Sequence, residues 1–232
     1  MLYYFVCFSF SSPKLLCNFR FLNDLRDSNG VCNDLFRVNI EEESFDNGWI
    51  WSRHPSMIGG VRVLGSENMI SNGYSIHMKF SFNEVAQWRK IIDFKNHSSD
   101  LGFYFRDGCL RLHGLYTCDI CSSPNSIIEL IYGYNYLTGI VDISQIQDDQ
   151  IIKTCSITDS SGISSPITSE GKPLFGLFID NGHDFENASG GKVHFVRIYN
   201  ESMKSMPPTI VYNSINPARR SFGFFSFLVF ML

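Results

Sequence analysis

Clustered positive charge is missing from this chain. Its 19 Lys and Arg are outnumbered by 23 Asp and Glu, the net charge is −4, and no basic run occurs. Phosphate recognition needs grouped cations, so a nucleic acid or an anionic membrane surface is excluded as a partner. Apolar stripes of helical period are scarce, which sets aside helical bundles and α/β folds. No apolar run reaches the ~20 residues of a membrane-spanning helix; the closing "FFSFLVFML" belongs to a stretch of about a dozen. No G-x-S-x-G elbow, P-loop or H-E-x-x-H helix is found.

What is present is abundant core material. Hydrophobic residues make up 44% of the 232 residues, and the chain holds 21 Phe. All-β sandwiches commonly reach roughly 200–250 residues as one unit, so one large core is expected. Short segments rich in Phe, Ile, Val and Tyr recur between Gly, Asn, Asp and Ser, the pattern of strands and turns.

Residues 74–82, "YSIHMKFSF", alternate almost without fault. Tyr74, Ile76, Met78, Phe80 and Phe82 take one face; Ser75, His77, Lys79 and Ser81 take the other, where His77 is expected to be solvated. Asp107-Gly108 is a hairpin signal, because a type I′ turn needs positive φ at both central positions. It sets Phe105 opposite Leu110 and Phe103 opposite Leu112, with Tyr104, Arg106, Cys109 and Arg111 on the reverse side. With strand 88–95 and the link "NHSSD", this segment predicts a three-strand meander. "PLFGLFID" (173–180) predicts a central strand covered on both faces. "KVHFVRIYN" (192–200) reads as Val193, Phe195, Arg197 and Tyr199 against His194, Val196 and Ile198, and 127–141 supplies two more strands. The expected fold class is all-β: two antiparallel sheets packed face to face.

Seven cysteines stand at 7, 17, 32, 109, 118, 121 and 155. Cys7 lies in "LYYFVCFSF" (2–10), which has the length of a signal-peptide core, although no basic residue precedes it. Cleavage there would leave six cysteines, which fits a disulfide framework; a cytosolic chain could keep all of them as thiols. Residues 1–16 are thus read as an apolar leader, 17–205 as the domain and 206–232 as a tail with an apolar end. That end could instead be a lipid-anchor signal, with Asn213-Ser214 as acceptor. Sequons at Asn96, Asn187 and Asn200 suit a secreted or cell-surface chain, though an Asn- and Ser-rich composition also supplies such triplets by chance.

"NGYSIHMKFSFNEVAQWRKIIDFKN", "SDLGFYFRDGCLRL", "PLFGLFIDN" and "FENASGGKVHFVRIYN" resemble successive blocks of LamG-like jelly-roll domains of the concanavalin A-like lectin/glucanase superfamily. "NFRFLNDLRDSNGV" (18–31) is similar to the family's opening strand and acidic turn, and the resemblance runs from about Cys17 to Ser202. It departs at Asn181, where a second Asp is common, and at Val196-Arg197, where Arg-Ile-Arg is usual. The resemblance implies a jelly-roll β-sandwich used for binding glycans, proteins or the cell surface. Glucanases of that superfamily carry E-x-D-x-(x)-E on one strand, and retaining chemistry needs the two carboxyls about 5–5.5 Å apart. That spacing is absent: Asp93, Glu129 and Asp142 fall in separate strands, and Glu41-Glu42-Glu43 reads as a solvated loop. A glycoside hydrolase is accordingly the third reading.

Two aromatic sets are candidate sugar platforms: Trp49 and Trp51, at i and i+2, and Tyr132, Tyr134 and Tyr136. Ring faces meet sugar C–H groups favourably; core packing is the alternative for both. Asp180, Asn181, Asp184, Glu186 and Asn187 gather hard oxygen ligands in one loop, a candidate calcium site. Cys118 and Cys121 have zinc-knuckle or redox spacing but no second pair, so a disulfide or two plain thiols in a loop is preferred. The sequence thus predicts a non-catalytic module binding a glycan, or alternatively a protein-adhesion domain. Exposure of Trp49 and Trp51 separates the two.

Overall fold

Alternation along the chain becomes two layers of strands. The computed structural model describes residues 13–53, 59–65, 70, 72–113, 116–166, 173–179 and 190–203. One sheet contains β1 (Leu15–Phe19), β3 (Ile40–Phe45), β4 (Trp49–Arg53), β6 (Gly73–Phe82), β11 (Ile128–Asn135), β12 (Ile140–Gln147), β13 (Gln150–Thr158) and β15 (Gly190–Tyr199). Its order is β13-β12-β11-β6-β15-β4-β3, with β1 pairing the last residues of β15. The second sheet contains β2 (Phe36–Val38), β5 (Gly60–Leu64), β7 (Trp88–Asp93), β8 (Gly102–Arg106), β9 (Cys109–Leu112), β10 (Tyr116–Cys121) and β14 (Pro173–Leu177), ordered β10-β9-β8-β7-β14-β5-β2. All these pairings are antiparallel. The chain is an all-β, two-sheet antiparallel sandwich, as its pattern predicts. β1 begins at Leu15, two residues before the expected domain boundary at Cys17. Residues 1–12 of the expected leader and residues 204–232 lie outside the described residues. Among the described residues no helix is long and apolar enough to cross a membrane.

The meander from 88 to 112 has the expected register. Phe105 faces Leu110, Phe103 faces Leu112, and Asp107 and Gly108 take φ values of 51° and 81°. β14 lies between β7 and β5, a central strand. Tyr74, Ile76, Met78, Phe80 and Phe82 all enter the core. Asp27, in the acidic turn, is buried; its carboxylate accepts N–H bonds from Asn18, Asn29, Val31 and Cys32.

Three expectations are corrected. His77 is 2% exposed, not solvated: Phe195 packs edge-on against its ring, and its Nε2 lies 2.8 Å from Glu129. The phase read for 192–200 breaks at a bulge between Val193 and Phe195, which turns Val193, Val196 and Ile198 inward and leaves Phe195 outside with Arg197. A bulge inserts one residue and inverts the alternation beyond it. Glu41, Glu42 and Glu43 form part of the edge strand β3, whose exposure lets carboxylates on either face stay hydrated.

Six cysteines form three disulfides, Cys17–Cys32, Cys109–Cys121 and Cys118–Cys155. Cys118 and Cys121 therefore sit in a strand and bond elsewhere, not to each other or to zinc. Cys118–Cys155 joins β10 to β13, the edge strands of opposite sheets. It closes a segment with a sequence separation of 37. Replacing both by Ala should therefore lower stability by roughly 2–4 kcal/mol, because the cross-link restricts the unfolded chain; an unchanged urea midpoint would refute this.

Burial also holds the His77 pKa below its ordinary 6.5, against the opposing hydrogen bond to Glu129. The unfolded chain then binds a proton near its ordinary pKa, and the folded chain binds it only at lower pH. This contribution to stability is complete above pH 6.5 and is lost as pH falls. His194, shifted the same way by burial, adds to the slope. Urea midpoints should decline between about pH 6.5 and 5, and less steeply in His77→Gln; identical slopes would clear His77.

A candidate binding face on the seven-stranded sheet

The inward residues of β7, β8 and β9 are committed to the core, so the pleat must present their neighbours on the reverse side. Cross-strand pairing puts Trp88 opposite Arg106, and Lys90, Tyr104 and Arg111 in one row. A bulge between Lys90 and Ile92 keeps Ile91 and Ile92 both buried while Lys90 stays on the reverse side with Tyr104.

These side chains form an aromatic and cationic cluster. The Trp88 ring lies edge-on to Tyr104 and to His113, both with centroids at 5.3 Å, and Tyr104 and His113 are 5.7 Å apart. The Arg106 guanidinium sits 4.8 Å from the Trp88 centroid and remains 45% exposed. Its ion pair to the exposed Asp107, at 3.9 Å, is loose and open to water. A cation–ring contact holds a cation in place without neutralising it. Tyr104 Oη–H and His113 Nδ1–H both donate to the Asp100 carbonyl, at 2.5 and 2.7 Å. Arg111 is half-buried, and its side chain makes no hydrogen bond or ion pair with the described residues.

Beneath lies a fully buried ion pair. Lys90 Nζ is 3.4 Å from Asp93 Oδ1, donates to the Ser99 carbonyl at 3.2 Å, and lies 5.1 Å from the Tyr104 centroid. The other Asp93 oxygen accepts the His97 backbone N–H at 2.8 Å. The pair ties the floor of the face to the turn after β7 and leaves Arg106 and Arg111 as its outward cations.

The aromatic sets expected to stack on sugar are placed elsewhere. Trp49 and Trp51 are 0% and 2% exposed, stacked on each other at 5.5 Å and continued by Phe21 and Phe178. Tyr132 and Tyr134 are buried and Tyr136 packs against them. Trp49, Trp51, Tyr132 and Tyr134 are core residues, because their strands turn these positions toward the opposing sheet, while Tyr136 is half-buried at the margin of the core. Tyr74 donates to the Ser164 carbonyl and Tyr132 pairs with Ser164 Oγ, each at 2.7 Å, while burial pushes both phenols well above their ordinary pKa. The Trp49 indole donates to Glu43 at 3.0 Å; Glu43 is held below its usual pKa chiefly by Arg37. Trp51 does border an open groove of about 470 Å³ with Glu42, Glu43, Ser44, Ile50, Ser52 and Asn83.

Asp180, Asn181, Asp184, Glu186 and Asn187, the expected calcium ligands, lie outside the described residues. Among the described residues no group of three or more His, Cys, Asp or Glu could hold a metal ion. Asp93, Glu129 and Asp142 are each engaged: Asp93 by Lys90, Glu129 by His77 and by Lys79 at 3.1 Å, Asp142 by Ser156.

Sequence reasoning misses Trp88, yet a signal exists. Extending the hairpin pairing back to the strand beginning at Trp88 places it beside Arg106, on the face assigned to Tyr104 and Arg111.

Comparison with known proteins gives a likeness of fold. No family model and no curated protein matches the chain. Trypanosoma rangeli sialidase in complex with sialic acid matches 82% of this chain and 31% of its own, at 11% identity and a TM-score of 0.55. A botulinum neurotoxin type C structure, titled for cell entry dependent upon interaction with two ganglioside molecules, matches 83% of this chain and 48% of its own, at 12% identity and a TM-score of 0.52. The binding domain of botulinum neurotoxin DC in complex with rat synaptotagmin II matches 82% and 48%, at 12% identity and 0.53. The chain spans less than a third of the sialidase and about half of each toxin structure. These matches agree with the two-sheet β-sandwich described above.

Lys90→Met should cost roughly 3–5 kcal/mol, because it strands the Asp93 charge in the interior. Lys90→Met with Asp93→Leu should recover part of that loss in urea unfolding; a mild single-variant effect would show the pair to be solvated.

Proposed function

We propose that this chain is a non-catalytic, extracellular binding module of LamG-like type that takes an acidic glycan on the outer face of its seven-stranded sheet. One observation carries the proposal: a half-buried indole at Trp88 shares its sheet face with two guanidiniums, Arg106 held against its ring and Arg111 paired across from Tyr104, the latter's side chain without a hydrogen-bond or ion-pair partner among the described residues. An aromatic edge or face suits sugar C–H groups, and a planar guanidinium suits a carboxylate or sulfate in bidentate fashion. Local positive charge on a chain of net charge −4 favours an anionic ligand over a neutral one. Three disulfides suit an oxidising compartment. Among similar folds, one sialidase is named with sialic acid and one neurotoxin with gangliosides; the reading accords with those names and does not depend on them.

A second reading, protein adhesion, is favoured by the burial of Trp49 and Trp51 and by Phe36, 58% exposed on the edge strand β2. It would use the sheet edge in place of the Trp88 cluster.

A glycan array followed by calorimetry, with and without Ca²⁺, separates the two. Acidic glycans should bind and their neutral parents should not, and Arg111→Ala and Arg106→Ala should each weaken binding about tenfold or more, roughly 1.4 kcal/mol. Trp88→Ala should do the same while near-ultraviolet dichroism confirms the fold. Equal binding of neutral and acidic glycans, or arginine variants that bind as wild type, would overturn the proposal. A blank array would favour adhesion.

A further inference from the structure

We propose that Asn96 is an N-glycosylation site, and that Asn200 is not used in the folded protein although its sequon is equally complete. Asn96-His97-Ser98 and Asn200-Glu201-Ser202 both satisfy Asn-X-Ser with a middle residue other than Pro. The structure separates them.

Asn96 stands at the tip of the turn between β7 and β8. It is exposed, with φ 51°, and His97 follows at φ 61°; two successive left-handed residues throw the tip clear of the sheet. The turn is fastened from below on both sides. The His97 N–H donates to Asp93 at 2.8 Å, and the Ser98 N–H donates to the Lys95 carbonyl at 3.1 Å. Lys95 Nζ donates to the Gly162 and Ser165 carbonyls at 2.8 and 2.7 Å. None of these bonds uses the Asn96 side chain, which makes no hydrogen bond with the described residues.

Asn200 has the opposite setting. It closes the sheet where β15 meets the start of β1: its Oδ1 accepts the Lys14 N–H at 2.9 Å, and its own N–H donates to the Lys14 carbonyl at 3.2 Å. It is half-buried, and with Oδ1 held by Lys14 the amide is fixed against the start of β1, where a glycan on Nδ2 has less room than at the exposed Asn96. The sequon at Asn187 lies outside the described residues.

The transfer is a substitution at an anomeric carbon. The Asn96 amide nitrogen forms the C–N bond to the first sugar of a lipid-pyrophosphate-linked oligosaccharide, the carbon–oxygen bond to pyrophosphate breaks, and an amide proton is lost. No oxidation or reduction is involved. The glycan would stand at the far end of β7 from Trp88, about 17 Å along the six residues of that strand, and would leave the aromatic and cationic cluster open.

The test is expression of the full chain through a eukaryotic secretory pathway. Protein from the medium and from the cell membranes would be digested with peptide N-glycosidase in heavy-oxygen water and mapped by mass spectrometry. Asn96 should convert to heavy-labelled Asp and Asn200 should remain Asn. Asn96→Gln and Ser98→Ala should each lose one glycan's mass, and Asn200→Gln should lose none. An unmodified Asn96 peptide, or a glycan on Asn200, would overturn the assignment.

Discussion

Everything in this molecule depends on filling the gap between two sheets. Sheets in a sandwich pack about 10 Å apart, and the intervening volume must be occupied at crystal-like density. Here large rings do most of that filling. Tyr74 meets Phe175 at 4.8 Å, Phe103 meets Tyr132 at 4.9 Å, and Trp49, Trp51 and Phe178 continue the stack beneath the other end of β4 and β6. Each ring contributes a large apolar area with little rotamer entropy lost. The hydroxyls of Tyr74 and Tyr132 are satisfied by one loop residue, Ser164, whose N–H and that of Ile163 are in turn fixed by Asp159. Among the described residues these rings thus occupy the interior between the sheets, and the outer faces and edges carry the exposed side chains.

The two outer faces are used differently. On the eight-stranded sheet, His77, Lys79 and Glu129 neutralise one another, and Met203 N–H reaches over to Ser75. Around Trp88 on the seven-stranded sheet, the buried pairing is that of Lys90 with Asp93, and Arg106 and Arg111 lie above it. A charge paired within a fold offers little to a partner, and one held against a ring but not neutralised offers most of its field. The eight-stranded sheet also holds a cation on a ring, Arg197 at 4.1 Å from the Phe195 centroid, so what distinguishes the seven-stranded face is the cluster of Trp88, Tyr104 and His113.

Much of the fold is legible because period-two alternation leaves little freedom. One apolar side in "YSIHMKFSF" and an Asp-Gly between two alternating runs determine both face and register. The errors have a common source. Alternation assigns His77 to water because it predicts a face, and nothing local reports what later covers that face; Phe195 and Glu129 come from distant parts of the chain. The phase beyond Val193 is misread because a bulge is invisible to periodicity. The tryptophan pair and the tyrosine ladder are each one-sided, as their spacing says, but which side is decided by the partner sheet. Trp88 escapes because it begins its strand, where the pattern has only one side to show.

The disulfides complete the same logic. Antiparallel sandwiches have open edges, and β10 and β13 form one pair of adjacent edges in opposite sheets. Cys118–Cys155 ties them, while Cys109–Cys121 fastens β9 to β10 beside the Trp88 cluster. Covalent closure at this edge therefore lies next to the face with outward cations, and it restrains the hairpin bearing Arg106 and Arg111. The binding face proposed above would gain from such restraint, since side chains on a rigid frame lose less entropy when a ligand engages them. The edge bond, the buried Lys90–Asp93 pair and the Asp100 carbonyl that orients Tyr104 and His113 all act on the same few residues. The rings fill the core between the sheets, and these restraints lie outside that layer, around the proposed binding face.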